Sequence, residues 1–271
     1  MTFLDVPGGR LWFETAGDPA HPAVLLIHAG VATLRMWDPQ IAAIARDHFV
    51  IRYDTRGFGR TESDSEPFSN RADAAALLDS LGVTSATLVG ASRGGSIALD
   101  IALDLPARVS GLVTIGSGPG GFPELELTPA ENAAFETIGA AEEAGNWTLL
   151  NRLEVELWDF GASRSRSDLD PAFVATAFEL NAANLAHASD DLSPVPLLPQ
   201  AYGRVRNITV PTLVVVGDHD LSETIAQFEF LADAIPDAES HRFTDAAHLP
   251  NVEKPAEFEK LLLEWLRGHN L

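Results

Sequence analysis

The sequence predicts an α/β fold built on a doubly wound, mostly parallel sheet, with a helical insertion late in the chain. Five short runs are nearly continuous in Val, Leu and Ile, as is typical of strands buried on both faces of a parallel sheet. Segments with helical periodicity separate these runs, and this alternation favours right-handed βαβ units. The five runs are residues 23–30, 48–54, 86–92, 110–118 and 211–218.

Elements at the two ends of the chain complete this pattern. Residues 8–17 alternate between apolar and polar side chains, which predicts an antiparallel hairpin at an edge of the sheet. Asp38 before Pro39 predicts a helix whose N-cap is the aspartate and whose first residue is the proline. A last helix is predicted to begin after Lys254 and to end before Gly268.

Between residues 119 and 205 the strand pattern gives way to helical patterns only. Thr128 and Glu131 have the spacing of a capping box, in which each residue satisfies a backbone N–H at the start of a helix. We therefore expect residues 1–118 and 206–271 to form the core domain. Residues 119–205, called the insertion below, are expected to form a helical unit between two strands of the sheet.

Composition limits the classes of function. The chain has 271 residues, of which 46% are hydrophobic and 21% charged, so one large domain with a sizeable core is expected. A net charge of −21 disfavours nucleic acid and anionic membranes as partners. There is no cysteine for a disulfide or a thiolate metal site. No secretory leader or membrane-spanning run is recognisable, so we expect a cytoplasmic protein with a small-molecule partner.

The pentapeptide Gly90-Ala91-Ser92-Arg93-Gly94 matches the pattern G-x-S-x-G. A predicted strand precedes it and a predicted helix follows it, which is the context that this motif requires for a nucleophilic serine. Small residues on both sides permit the strained turn that lifts the serine hydroxyl clear of the sheet. The alternative is a glycine-rich packing turn in which the serine only caps the helix.

A nucleophilic serine needs a base and an acid, which follow it along the chain in the order acid, then histidine. His248 lies in a small-residue loop just before the last helix, whereas His241 falls within a short strand pattern. After the strand at 211–218, Asp220 is favoured as the acid because two more residues carry it beyond the strand. Asp218 is the alternative, and His219 between them is expected to face solvent.

Five blocks of the sequence together resemble the α/β-hydrolase fold superfamily over the whole chain, in order and in spacing. The resemblance implies Ser92 as the nucleophile, His248 as the general base and Asp220 as the acid that orients it. It also implies that the insertion is a cap, or lid, over the site. The blocks are "LLIHAG", "RYDTRGFGRT", "LVGASRGG", "PTLVVVGDHD" and "DAAHLPNVEKP".

The resemblance further implies an oxyanion hole made of two backbone N–H groups. One donor is expected from Arg93, directly after the nucleophile, and the other from Gly30, with Val31 as an alternative. The family usually has His-Gly where this chain has His28-Ala29, so the position of the second donor is the less certain of the two.

Three side chains are expected to touch the substrate: Arg93, Trp158 and Val31. Arg93 is a cation beside the nucleophile, and it either enters the pocket and binds a substrate carboxylate or points beneath the sheet edge and pairs with an acid. Related fluoroacetate dehalogenases use an arginine at that position for a carboxylate. Aromatic residues of the insertion are divided between its own core and the pocket roof. Arg164 is expected to be a solvated loop charge.

The segments "MWDPQIAAIARDHFVIRYDTRGFGRTE" and "ELWDFGASRSRSDLDPAF" are similar to enol-lactonases of the 3-oxoadipate type. We therefore expect a serine hydrolase, without metal or organic cofactor, that cleaves an ester or lactone of a small soluble molecule. Hydrolysis of a carbon–carbon bond by the same triad, a slow-turnover receptor and an acyltransferase are the alternatives. The chain is expected to be a monomer or a homodimer.

Overall fold

A computed structural model describes residues 2–271 and places the described strands in one sheet. Their order across the sheet is β1-β2-β4-β3-β6-β7-β8-β9, and β5 pairs with β2. The strands are β1 (Thr2–Val6), β2 (Gly9–Ala16), β3 (Ala23–Ile27), β4 (Phe49–Tyr53), β5 (Glu62–Ser63), β6 (Ala86–Ala91), β7 (Val109–Ile115), β8 (Thr212–Gly217) and β9 (Glu239–Phe243).

The predicted fold class is confirmed. From β4 through β9 every neighbouring pair along this order is parallel, and the antiparallel pairs among the described strands all involve β2. β3 lies between β4 and β6, so Ile27 at its end pairs with Tyr53 on one side and Gly90 on the other. The strand order reverses at this point, and the crevice at the carboxyl ends of the strands is where such sheets bind ligands.

Helices cover both faces of the sheet. In the core domain they are α1 (Asp38–Ile44), α2 (Asn70–Ser80), α3 (Arg93–Asp104), α7 (Ser222–Ala234), α8 (Pro250–Glu253) and α9 (Pro255–Gly268). The insertion contributes α4 (Pro129–Glu143), α5 (Trp147–Trp158) and α6 (Pro171–Ala182). None of the described helices is long and apolar enough to cross a membrane.

Two expectations about local structure are corrected. Residues 8–17 do form a hairpin strand, but β2 lies inside the sheet between β1 and β4, and the unpredicted β1 is the edge. The first helix already includes Asp38, with Trp37 at the N-cap. Asp38 does not cap because its carboxylate is paired with Arg52 and Arg35.

The core lies on the two faces of the sheet. One apolar cluster joins the strands to α2, α3 and α7, and the other joins them to α1, α9 and the inner side of the insertion. All five residues of β3 are buried, as expected for a central parallel strand. Val155 of α5 and Phe173 of α6 belong to the second cluster, so the insertion packs directly on the core domain.

Candidate active site

Ser92 occupies the sharp turn between β6 and α3. Its backbone has φ 52° and ψ −121°, and its N–H donates to the carbonyl oxygen of Ile115 at 2.7 Å. Asp237 and Asn270 are the other non-glycine residues with positive φ in the described chain, and those residue types tolerate such angles better than serine. The unfavourable backbone of Ser92 is therefore held by its surroundings, as is common at functional sites.

Glycines on both sides make this turn possible. A Cβ at Gly90 would overlap the carbonyl oxygen of Gly94, and one at Gly94 would overlap that of Ile27. Helix α3 therefore approaches the ends of β3 and β6 more closely than side chains would allow. Ser92 is partly exposed although Ala91 and Gly94 beside it are buried, so the turn presents the serine at the carboxyl edge of the sheet.

His248 and Asp220 form a direct pair at the same edge. The His248 Nδ1 lies 2.8 Å and 3.0 Å from the two carboxylate oxygens of Asp220. Their side chains are 3% and 1% exposed, so the pair is shielded from water. Because a carboxylate only accepts, Nδ1–H donates, and Nε2 of neutral His248 is left as a base.

The alternative acid lies elsewhere. Asp218 accepts from Arg242 Nε at 2.7 Å and is partly exposed. Asp220 is therefore the aspartate of this loop that the fold brings to His248, and it also accepts from the Leu221 N–H at 2.8 Å.

Residues at the end of β7 link the serine turn to the histidine–aspartate pair. The Ile115 carbonyl binds the Ser92 N–H, and the next residue, Gly116, lies against His248 and Asp220. A Cβ on Gly116 would lie 3.1 Å from Asp220 Oδ2 and from His248 Nδ1. Gly116 also has a positive φ of 55°, so both conformation and space favour glycine.

His28 sets the direction of the peptide between Ala29 and Gly30. It is fully buried, and burial lowers its pKa to about 3, so the ring is neutral. Its Nε2 accepts from the Thr55 N–H at 2.9 Å, which leaves Nδ1–H to donate to the Ala29 carbonyl at 2.7 Å. In a trans peptide the N–H points opposite to the carbonyl, so the Gly30 N–H is directed away from His28.

The two predicted oxyanion donors are available for a ligand. Within residues 2–271, neither the Gly30 N–H nor the Arg93 N–H has a protein acceptor. Arg93 is the first residue of α3, where an N–H has no partner inside the helix. A Cβ at Gly30 would meet no atom within 4 Å, so there is open space beside that peptide.

A family model with the description alpha/beta hydrolase fold matches residues 22–255. The chain belongs to the alpha/beta hydrolase fold family. The 3-oxoadipate enol-lactonase 2 of Acinetobacter baylyi is 28% identical to it over 274 residues, or 95% of this chain and 92% of that protein. The 2-hydroxymuconate semialdehyde hydrolase of a Pseudomonas species is 29% identical over 255 residues, or 90% and 86%.

A solved structure described as Est816, an N-acyl homoserine lactone degrading enzyme, superposes with a TM-score of 0.74. It is 27% identical in sequence, and the match covers 97% of this chain and 99% of that one. The resemblance inferred from the five sequence blocks is thus confirmed at the level of the family. The names of these relatives indicate three different substrates: an enol-lactone, a semialdehyde and an N-acyl homoserine lactone.

In this alpha/beta hydrolase, Arg93 has no acidic partner among the described residues. Its guanidinium donates to Thr55 Oγ1 at 2.6 Å and lies 4.7 Å from the ring centre of Phe58. Burial lowers the pKa of Arg93 to about 10, which still leaves it a cation at neutral pH. The alternative of an ion pair beneath the sheet edge is wrong, because the side chain turns toward the end of β4.

Trp158, at the end of α5, contacts the proposed base directly. Its ring centre lies 4.7 Å from that of His248, and its carbonyl accepts the His248 N–H at 3.3 Å. Val31 is buried in the apolar cluster that faces the insertion. Phe160 and Phe173 are buried with it, so they belong to the core between the insertion and the sheet.

The sequence did not single out Asn184, which bridges two loops of the site. Its Nδ2 donates to the Ala32 carbonyl at 3.1 Å, and its Oδ1 accepts from the Gly59 N–H at 3.2 Å. His187 lies 3.0 Å from the Gly59 carbonyl through its Nε2. The insertion is therefore attached to the loops that follow β3 and β4, but polar residues in a loop give no sequence signal for such contacts.

Asp159 was also missed. It is 0% exposed, and neither carboxylate oxygen has a hydrogen-bond partner in the described part of the chain. Burial, followed by repulsion from Glu253 and Asp220, raises its pKa well above the ordinary value. Burial therefore favours the protonated form of this carboxyl group.

Arg164 corrects a further expectation. It is not a solvated loop charge, because its guanidinium forms two hydrogen bonds with Glu253, at 2.6 Å and 2.9 Å. Glu253 also accepts the Ala247 N–H, directly before His248. The ion pair thus ties the insertion to the histidine loop, and only packing between distant segments makes it visible.

A cavity of about 400 Å³ lies between α6 and the segment after β3. Thr33, Arg35 and Glu179 are among its lining residues, and neither Ser92 nor His248 is. It therefore lies on the flank of the insertion, apart from the histidine–aspartate pair. No group of three or more His, Asp or Glu side chains in residues 2–271 is arranged to hold a metal ion.

Proposed function

We propose that this alpha/beta hydrolase cleaves a carboxylic ester or lactone of a small molecule through an acyl-enzyme on Ser92. The observation that carries the proposal is the buried Asp220–His248 pair at the same sheet edge as a serine with a strained backbone and two backbone N–H groups that have no protein acceptor in residues 2–271. The relatives that act on lactones favour this bond type.

In the proposed reaction His248 Nε2 takes the proton of Ser92 Oγ while Oγ attacks the acyl carbon. The Gly30 and Arg93 N–H groups bind the oxyanion of the tetrahedral intermediate, and each is worth about 3 kcal/mol. The intermediate collapses, and the leaving alcohol receives the proton from His248. Water, activated by His248, then releases the acid and restores Ser92. With a lactone the alcohol stays attached, so the product is one hydroxy acid.

In this proposal the insertion, residues 119–205, is a cap over a core domain of residues 1–118 and 206–271. Trp158 supports that role because it contacts His248 through both its ring and its carbonyl. Trp158 and Val31 would border the acyl group of the substrate. A largely apolar roof suits a small or medium acyl group.

The nucleophile is tested by hydrolysis of p-nitrophenyl acetate and butyrate with wild type, Ser92→Ala and Ser110→Ala. Ser110 is a control because its hydroxyl lies next to Thr87 at the opposite, amino end of the strands. Turnover is expected in wild type and Ser110→Ala, and its loss in Ser92→Ala, by about 10⁴-fold or more, follows from losing the attacking oxygen.

Equal turnover in Ser92→Ala and wild type would disprove the nucleophile. If neither protein turns over these esters, a fluorophosphonate is applied to both. Labelling of wild type but not of Ser92→Ala supports the proposal and moves the search to lactones. Absence of labelling in wild type counts against it.

The unpaired guanidinium of Arg93 supports a substrate that carries a carboxylate. Mono-p-nitrophenyl succinate and p-nitrophenyl butyrate have the same acyl length and differ in that one group. Arg93→Met is expected to lower kcat/KM about 30-fold for the succinate ester and little for the butyrate, since a charge-assisted pair is worth about 2 kcal/mol. Arg166→Met, in the insertion, is the control. An equal loss on both esters would argue against carboxylate binding.

Carbon–carbon bond hydrolysis is the second candidate, and the 29% identity to 2-hydroxymuconate semialdehyde hydrolase favours it. The same serine, histidine and aspartate would serve that reaction. Analysis of products from vinylogous diketones distinguishes the two, because only carbon–carbon cleavage yields two fragments from a substrate without an ester.

A further inference from the structure

Glu131 of α4 contacts the core domain at the start of α7. Glu131 is 4% exposed, and its carboxylate accepts hydrogen bonds from the backbone N–H and the hydroxyl of two residues. Thr128, at the start of its own helix, donates at 2.8 Å and 2.7 Å. Ser222, the first residue of α7 and 91 positions away in the chain, donates at 2.7 Å and 2.8 Å. One carboxylate therefore serves the first turns of two helices.

Helix α7 has no side-chain cap of its own. Its N-cap residue is Leu221, which offers no acceptor, so Glu131 accepts the Ser222 N–H that would otherwise have no acceptor within the helix. A capping box on α4 alone would require only Oε2 of Glu131. Its Oε1 is bound by the Ser222 N–H.

The N–H of the residue just before Ser222 is bound by the aspartate of the histidine–aspartate pair. The Leu221 N–H donates to Asp220 Oδ1, and the carboxylate of Asp220 in turn accepts from His248. Two consecutive N–H groups at the positive end of α7 thus bind the two carboxylates: that of Leu221 donates to Asp220, and that of Ser222 donates to Glu131. The first turn of α7 is therefore linked by one hydrogen bond to the carboxylate that binds His248.

The ionisation of Glu131 is consistent with this arrangement. Burial by itself raises the pKa of the group, but the hydrogen bonds from Ser222 and Thr128 outweigh it and lower the pKa to about 2. The carboxylate therefore stays ionised, and able to accept from both helices, over the whole range in which an esterase is assayed.

We propose that Glu131 is a positioning residue that ties the insertion to the start of α7 and thereby fixes Asp220 against His248. The inference rests on the proposed function, in which Asp220 is the acid of the triad. It makes the efficiency of the triad depend on the attachment of the insertion. Glu131 has no contact with His248 or Ser92, so it acts through Ser222, Leu221 and Asp220.

Four variants separate this role from simple capping of α4. Glu131→Gln keeps the shape but turns an NH₂ toward the donors of Thr128 or Ser222. Ser222→Ala removes one donor on the α7 side and Thr128→Ala one on the α4 side. Glu136→Gln removes an exposed charge from the same helix and is the control.

The first readout does not depend on activity. Hydrogen–deuterium exchange is followed in peptides covering residues 218–226 and 126–135. Glu131→Gln is expected to speed exchange at the start of α7 about tenfold, because the loss of a charge-assisted hydrogen bond lets the first turn open more often. Ser222→Ala should do so to a smaller degree, Thr128→Ala should affect only the α4 peptide, and Glu136→Gln should affect neither.

The second readout is kcat and KM on an ester that the wild type hydrolyses, or the rate of fluorophosphonate labelling if it hydrolyses none. For Glu131→Gln we expect about a tenfold loss of kcat, or of labelling rate, with KM little changed. Ser222→Ala keeps the Ser222 N–H and remains informative if Glu131→Gln does not fold.

Unchanged exchange in α7 would overturn the link, and faster exchange with unchanged kcat would overturn the positioning role. Equal effects of Thr128→Ala and Ser222→Ala on kcat would reduce Glu131 to a cap of α4. Failure of the proposed function gives a different result, namely full activity in Ser92→Ala, while the exchange pattern still reports on Glu131.

Discussion

The insertion meets the rest of the chain near the histidine–aspartate pair in two regions, and the pKa of a buried carboxyl group is shifted in opposite directions in the two. At the start of α4, Glu131 is surrounded by donors, and its pKa falls to about 2. At the end of α5, Asp159 has no donor within the described chain, and its pKa is raised. Burial acts in the same direction on both groups. The number of hydrogen bonds to the charged form therefore decides the sign of the shift.

The two regions also reach the pair by different means. The α4 region acts through polar bonds to Ser222, on the acid side. The α5 region acts on the base side, where the Trp158 ring packs at an angle against His248 and Asp159 follows Trp158 in the chain. A charged link is specific in direction but costs free energy when one partner is lost, whereas the contact of Trp158 with His248 adds no charge beside the pair.

The largest effect in this comparison is expected at Asp220, the carboxylate that both regions flank. Asp220→Asn should lower kcat about 10⁴-fold, because an amide no longer holds His248 in the tautomer whose Nε2 is a base. This loss of kcat is measured by steady-state kinetics on the same p-nitrophenyl ester that is used to test Ser92.

Asp218→Asn is the matched control two residues away. It removes only a partly exposed ion pair with Arg242, for which a change of less than about 1 kcal/mol in unfolding free energy and little change in kcat are expected. If Asp218→Asn lowered kcat as much as Asp220→Asn, the assignment of Asp220 as the acid would be wrong. The idea that both regions of the insertion act on Asp220 would then be wrong as well.

A smaller effect, on stability, is expected at Asp159. Its pKa is raised in the folded protein, so between the ordinary value of about 3.9 and the folded value the native state binds more protons than the unfolded state. The free energy of unfolding then falls as pH rises through that window, by up to about 1.4 kcal/mol per pH unit. Asp159→Asn removes this contribution, so the free energy of unfolding of the variant relative to wild type should rise with pH through that window.

Urea denaturation at several pH values measures this difference, with Asp191→Asn as an exposed control in the insertion. Stability curves of wild type and Asp159→Asn that run parallel from pH 5 to pH 8 would mean that Asp159 is ionised in the folded protein. The contrast with Glu131 would then be lost.

Local signals in the sequence were sufficient for the main elements and for the serine turn. The strands β3, β4, β6 and β8 fall within the predicted apolar runs, and β7 begins one residue before its run, because a strand buried on both faces needs continuous apolar side chains. The capping box at Thr128 was found for a similar reason, since both partners lie within one helical turn. β1 was missed because it is short and mostly exposed.

The sequence did not indicate which distant polar groups meet. Arg164 lies against Glu253, 89 residues away, and was expected to be solvated. Asp159 gave no sign of burial, and Arg93 was compatible with an acidic partner that the fold does not provide. These contacts depend on how the insertion packs on the sheet, and no local spacing of residues in the sequence encodes that packing.

The sequence by itself determined the α/β class, the order of the strands along the chain and the turn at Ser92, because short-range sterics and hydrogen bonds specify them. The tertiary structure decided that Asp220 rather than Asp218 faces His248, and that Glu131 bonds Ser222 as well as Thr128. The physical reason is distance along the chain. The capping box of Thr128 and Glu131 is complete within four residues. The hydrogen bond between Glu131 and Ser222 instead requires two helices that only the packed core brings together.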